Sequence, residues 1–193
     1  LTVIGCAAAL YLIVRYYVIS RARESYEKAE KSYAWWQDAE LKKKELSLEF
    51  EKESREIEKK YKMNKALSFL RIISGAKGRL SEQEYKNMQE DAKNENERLL
   101  EENDLKYAFV WYQTAVEMFS PPLSKWVRIS LPKMYDMTKK LEAEKMYILA
   151  REGYESVIRF AGKYPDFTDK NIPEWKEMVE TSRKKVPEMW DLI

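Results

Sequence analysis

The chain has 193 residues, room for one domain and an anchoring segment. Lys+Arg 35 against Asp+Glu 33 leaves a net charge of +2, a balance that implies no nucleic-acid partner, since such binding needs a basic excess clustered on one face. There is no histidine and one cysteine, Cys6, which removes the commonest general base, internal disulfides and Cys-rich metal sites.

Five glycines are under half of the usual ~7%, and no proline precedes Pro121. The chain up to that point is therefore expected to be mostly helix. Leu1 to Ile19 is apolar apart from Thr2, Arg15 and three tyrosines. A helix needs about 20 apolar residues to cross a bilayer, with about 17 as the lower bound. Residues 1–20 are thus expected to form a single transmembrane anchor. Ile4, Leu10, Leu12 and Ile13 would meet lipid, Arg15 would extend to the headgroups, and Tyr16 and Tyr17 fit an interfacial belt. A helix buried in a soluble protein is one alternative. A processed signal is another, although no positive segment precedes the apolar run. Val3-Ile4-Gly5-Cys6 resembles a lipoprotein cleavage box, but the apolar run continues past Cys6. Arg15, Arg21, Arg23, Lys28 and Lys31 lie towards the C-terminal side. The positive-inside rule then puts the C-terminal part in the cytoplasm, or in the matrix or stroma of an organelle.

Residues 21–74 contain no Gly or Pro and are expected to form a long, charged, stalk-like helix. Ala22, Tyr26, Ala29, Tyr33 and Trp36 follow heptad steps. The same register continues through Glu40, Lys43 and Ser47 to Phe50, Ser54, Ile57 and Tyr61, so the seam has a polar gap. Acid-to-base pairs at i,i+4, such as Glu24–Lys28, Asp38–Lys42, Glu51–Arg55 and Glu58–Lys62, are each worth ~0.2–0.5 kcal/mol. Joined to the anchor as one helix, at about 1.5 Å per residue, this segment would reach roughly 100 Å. A long helix folded against its own C-terminal domain is the competing arrangement. Trp35 and Trp36 are adjacent and cannot both face one neighbour, and Trp35 is expected to make an interchain contact. Phe50, Ile57 and Tyr61 on the stalk, with Trp111 and Trp126 beyond it, complete the expected partner interface.

The apolar run from Met63 to Ile73 is expected to end this helix in a core, with Gly75 as a C-cap. Residues 79–193 then form a small helical bundle. Ser81-Glu-Gln-Glu84 reads as a capping box. Its helix is expected to run to about Phe119, bent near Asn103-Asp104 and stopped by Ser120-Pro-Pro122. Lys125 to Leu131 suits a short turn, and Pro132 the first position of a helix reaching Lys163. A loop over Tyr164 to Pro173 leads to a last helix through Trp175, Met178 and Val179, with Pro187 to Trp190 as a tail. From Glu82 to Lys106, 9 acids face 4 bases; from Lys125 to Lys163, 9 bases face 5 acids. If the two stretches were neighbours, their fields would complement each other. Otherwise each would suit a partner of opposite charge.

Ala108, Tyr112, Ala115 and Pro121 resemble the second helix of a tetratricopeptide repeat, and Tyr154, Val157, Ala161 and Pro165 repeat the theme. The first-helix residues of that repeat do not appear upstream. The resemblance implies a helical-repeat fold with a groove for a peptide or helix of a partner.

Ser-x-x-Lys occurs at Ser25, Ser74, Ser130 and Ser182, as a Lys-rich chain gives by accident. Gly75-Ala-Lys-Gly78 lacks the ending of a phosphate loop. The expectation is an all-α, single-pass membrane protein without catalytic residues, cofactor, metal or small-molecule substrate. Its partners would be the bilayer and the other subunits of a membrane complex, to which it would be an accessory, scaffold or assembly subunit. The alternative is a membrane-tethered, repeat-like adaptor for soluble clients.

Overall fold

The computed structural model describes the backbone of residues 2–74, 81–118 and 124–193, and the side chains of 6, 8–65, 81–118 and 124–193. Among these residues there are seven helices and no strand. They are α1 (Thr2–Gln37), α2 (Ala39–Ser74), α3 (Glu82–Glu101), α4 (Asp104–Glu117), α5 (Lys125–Ala143), α6 (Tyr147–Lys163) and α7 (Trp175–Trp190). The all-α expectation holds. The chain divides into two units, one of Leu1–Trp36 with Asn103–Ile193, the other of Gln37–Glu102.

The expected long helix is broken at Asp38, where neither Gly nor Pro marks the site. The Asp38 carboxylate accepts the backbone N–H groups of Glu40 and Leu41 at 3.0 and 2.9 Å, so it caps α2 instead of pairing with Lys42. A second Asx break falls at Asn103, whose side chain accepts the Lys106 N–H at 3.0 Å and starts α4. The helix expected from Glu82 to Phe119 is therefore two helices. Ser81 forms the expected capping box: its hydroxyl accepts the Glu84 N–H at 3.1 Å, and its own N–H donates to the Glu84 carboxylate at 2.6 Å. Gly75 to Gly78 and Ser120 to Pro122 lie outside the described residues.

The helix expected from Pro132 to Lys163 is also two. It begins earlier, at Lys125, because Ser124 accepts the Val127 N–H at 3.2 Å, and Pro132 sits inside α5. It ends at Lys145, which adopts φ 60. The Met146 N–H reaches the Leu141 carbonyl at 2.8 Å and the Lys145 N–H reaches Glu142 at 2.9 Å. That is a Schellman turn with lysine where glycine is usual, so no sequence signal announced it. α7 continues through Pro187 to Trp190, so the expected tail is helical.

In the first unit, α4 packs on α5, α5 on α6 and α6 on α7, and α4 also touches α6. Leu105, Phe109 and Tyr112 of α4, Leu131, Met134 and Leu141 of α5, Tyr154, Val157 and Phe160 of α6, and Trp175 and Met178 of α7 share one core. Each large apolar side chain buried there is worth about 1.5–3 kcal/mol. The expected loop after α6 joins the core: the rings of Phe160, Phe167 and Trp175 meet edge to face at 5.0–5.8 Å. α1 contributes a stripe of small buried residues, Ala22, Ser25 and Ala29, flanked by Tyr26 and Tyr33. Gly153 lets α6 approach closely, since a Cβ there would lie 2.0 Å from Thr138 Oγ1 and 2.9 Å from Phe109 Cε2.

The second unit is the hairpin of α2 and α3. Lys42, Leu46 and Ile57 of α2 and Ala92 of α3 are its buried residues, and Tyr61 stacks on Tyr85 at 4.4 Å. The expected polar gap at Lys43 and Ser47 does not exist, because the break at Asp38 restarts the helix in a new phase. Lys42 and Leu46 occupy the seam, and Lys43 and Ser47 face outward. The Lys42 ammonium donates to the Glu102 carbonyl at 3.1 Å and ties the two ends of the hairpin together. α3 is thus a neighbour of α2. Met63 is 60% exposed, against the expectation that its run enters a core. Residues 66–74 have no described side chains.

Over the described residues, no helix is long and apolar enough to cross a membrane. Arg15 and the tyrosines dilute the run of α1, and the charged sequence from Arg21 onward belongs to the same helix. The expected transmembrane span therefore gains no support from the helix itself.

Candidate partner interface

Of the residues expected in the anchor, Ile4 lies in α1 with its side chain outside the described residues. Leu10, Leu12, Ile13, Tyr16 and Tyr17 are exposed, as are Tyr11, Val14 and Arg15. The apolar members are exposed to 58–77%. Leu10 to Val14 occupy consecutive positions, so every side of the helix is apolar over that stretch.

The aromatics expected at a partner interface are scattered. Trp35, expected to be the outward member of its pair, is 8% exposed, with the Lys31 ammonium 4.5 Å from its ring. Trp36 is the outer one, at 36%; it stacks on Tyr33 and carries the Lys140 ammonium 4.9 Å from its ring. Ala22 and Ala29 of the heptad stripe are buried as its spacing implies, whereas Trp36, which continues that stripe, is the more exposed tryptophan. Ile57 is buried in the second unit, where Phe50 and Tyr61 are half-buried. Trp111 is half-buried beneath the Lys28 ammonium at 4.5 Å. Trp126 meets Tyr26 at 5.5 Å.

Sequence reading missed two matched polar ties in the first unit. The Glu30 carboxylate of α1 accepts the Tyr112 hydroxyl of α4 and the Lys133 ammonium of α5. The Glu142 carboxylate of α5 accepts the Tyr154 hydroxyl of α6 at 2.6 Å and the Lys185 ammonium of α7 at 2.9 Å. Each tie joins three helices through one acid, one tyrosine and one lysine. Tyr112 and Tyr154 are the two aromatic positions of the repeat-like strings, and the string was the available signal. Its polar partners come from other helices and had none.

The electrostatics follow from these contacts. Burial raises the Glu30 carboxyl, but hydrogen bonds from Lys133 and Tyr112 outweigh it and hold the group below its ordinary value. Glu142 is lowered in the same way, by Tyr154 and Lys185 against burial. Burial, then the neighbouring carboxylates, push both tyrosine hydroxyls far up. Burial lowers Lys133, yet its bond to Glu30 leaves it raised. These lysines stay charged and the tyrosines stay neutral near pH 7. They suit holding helices together and do not suit accepting a proton or attacking a substrate.

Beside the first tie a cleft of about 510 Å³ is lined by Tyr33, Tyr112, Lys133, Lys139 and Lys140, among others. Lys133 is spent on Glu30, and Lys139 on Asp136 at 2.7 Å. Among the described residues, no group of three or more His, Cys, Asp or Glu side chains could hold a metal ion. No family model matches the chain, and no curated protein or solved structure is significantly similar to it.

Proposed function

We propose that the chain is a non-catalytic accessory or scaffold subunit of a membrane-bound protein assembly. The carrying observation is the exposure of α1 on all sides from Leu10 to Tyr17, in a helix that enters the core of the first unit at Ala22 and Ala29. A helix apolar all round needs cover on every side, from lipid or from surrounding protein. In this reading residues 1–20 are the anchor, and the basic residues that follow keep the body on the cytoplasmic, matrix or stromal side. Trp36, Trp111 and Trp126, half-buried or at the surface, supply aromatic area for neighbouring subunits. The test is mild detergent extraction, sizing and mass spectrometry of what co-purifies. A particle much larger than the 23.1 kDa chain in its micelle, with the same companion chains in repeated preparations, supports the reading. Migration of the chain alone overturns it.

A second reading is a membrane-tethered adaptor whose repeat-like helices recruit a soluble client. The two equivalent Glu–Tyr–Lys ties favour it, because they mark α1–α4–α5 and α5–α6–α7 as similar three-helix steps. Here a variant lacking residues 1–20 still binds its client, whereas an assembly subunit loses its companions.

A further inference from the structure

We infer that the chain seats on an anionic lipid leaflet through a girdle of cations supplied jointly by α1 and the start of α5. The inference rests on the proposed membrane association and adds the headgroup chemistry that recognises it. A groove on a partner covers one side of a helix. The stretch from Leu10 to Val14 is apolar on all sides, which hydrocarbon satisfies. Insertion of these turns is enough, and no crossing is needed.

The girdle lies where this collar ends. Arg15 follows Val14, and Arg21 and Arg23 come within the next three turns. The fold brings the start of α5 beside Arg23 and Tyr26, in the turns of α1 that follow. The Trp126 ring meets Tyr26 of α1 at 5.5 Å; the Arg23 guanidinium is 6.0 Å from its centroid and the Lys125 ammonium 5.1 Å. Arg128 is exposed one turn beyond Lys125. Arg21 and Arg23 share their charge with Glu24 and Glu27. Arg15, Lys125 and Arg128 have no carboxylate partner among the described residues. Three cations without a carboxylate partner, accompanied by the Trp126 indole and by Tyr16 and Tyr17, match an interface whose phosphates are negative. Long basic stems let the charges stay at phosphate level while the collar sits deeper. The sequence alone showed the α1 half; the α5 half exists only in the fold.

The test is flotation of the full chain with two kinds of vesicle: phosphatidylcholine alone, and phosphatidylcholine with about one-third phosphatidylserine. The expected result is flotation with both, and an affinity about tenfold or more higher for the anionic vesicles that shrinks with added salt. The double variant Lys125→Gln with Arg128→Gln keeps its binding to neutral vesicles and loses most of that advantage. Both side chains are exposed, and an unchanged melting curve confirms that the variant is folded. Salt dependence of the unaltered chain gives an independent reading if it is not. Equal, salt-insensitive flotation on the two vesicles overturns the girdle and leaves the membrane reading standing. A folded double variant with its full anionic preference removes α5 from the girdle and overturns the inference. No flotation with either vesicle overturns both ideas. If the lipid-free chain is then a dimer, a second copy covers the collar.

Discussion

Tyr112 and Tyr154 each stand four residues after a fully buried alanine, Ala108 and Ala150, and each gives its hydroxyl proton to a carboxylate on another helix. The acids are the responsive partners. A carboxylate held below its ordinary value stabilises the fold above the unfolded value, 4.5 here. That contribution is lost as pH falls through the lower, folded value. Both groups are partly exposed, so solvent screening keeps each effect small. The urea midpoint is expected to stay flat from pH 7 to about 5 and to drop below about 4.5. The Glu30→Gln/Glu142→Gln variant is expected to be less stable at pH 7 by about 1–3 kcal/mol and to fall less on acidification. Lys133 and Lys185 act on the alkaline side. Their raised values stabilise the fold fully below 10.5, and this is lost as pH rises through the folded value.

At the scale of elements, the hydrophobic phase of α1 was legible, and so was the Ser81 box. Of the breaks, the one near Asn103-Asp104 was legible as a bend, and the one at Asp38 was not. Asp38 and Asn103 each end a continuous charged helix with one short side chain that satisfies backbone N–H groups, and such residues are common in solvated helices that do not break. With Asp38 unseen, Lys43 and Ser47 were read into the seam held by Lys42 and Leu46, whereas Phe50, Ser54, Ile57 and Tyr61 further on do lie on the buried or half-buried side. Lys145 was hidden for a similar reason, because a lysine stands where a glycine would have given the turn away. Asp38→Ala and Asn103→Ala are each expected to cost about 1 kcal/mol, read from urea midpoints. If Asp38→Ala is neutral, the cap contributes nothing to α2.

The molecule as a whole has a discontinuous unit interrupted by a hairpin. Sequence periodicity reports which residues are buried along one helix, not which helices share a core, so the return of the chain to α1 at Asn103 could not be read from it. The collar and the repeat-like strings of the candidate surfaces were legible, whereas Glu30–Tyr112–Lys133 spans 103 residues and was not. The Lys42 tie to Glu102 holds the two ends of the hairpin close. Replacing Gln37–Glu102 by a short glycine-serine linker is therefore expected to leave α1 and α4–α7 folded, with a single cooperative melting transition. Loss of cooperative melting would mean that the first unit depends on the hairpin.

Between α5 and α6, Gly153 faces Thr138, and a methyl group added there would overlap both branches of the threonine, at 2.0 and 2.8 Å. Gly153→Ala is expected to cost about 1–3 kcal/mol in chemical denaturation, with part recovered by Thr138→Ala in the same chain. These two residues answer for a single small volume, so bulk gained by one must be surrendered by the other. Among descendants of this sequence they would drift only as a pair, a joint mark of ancestry.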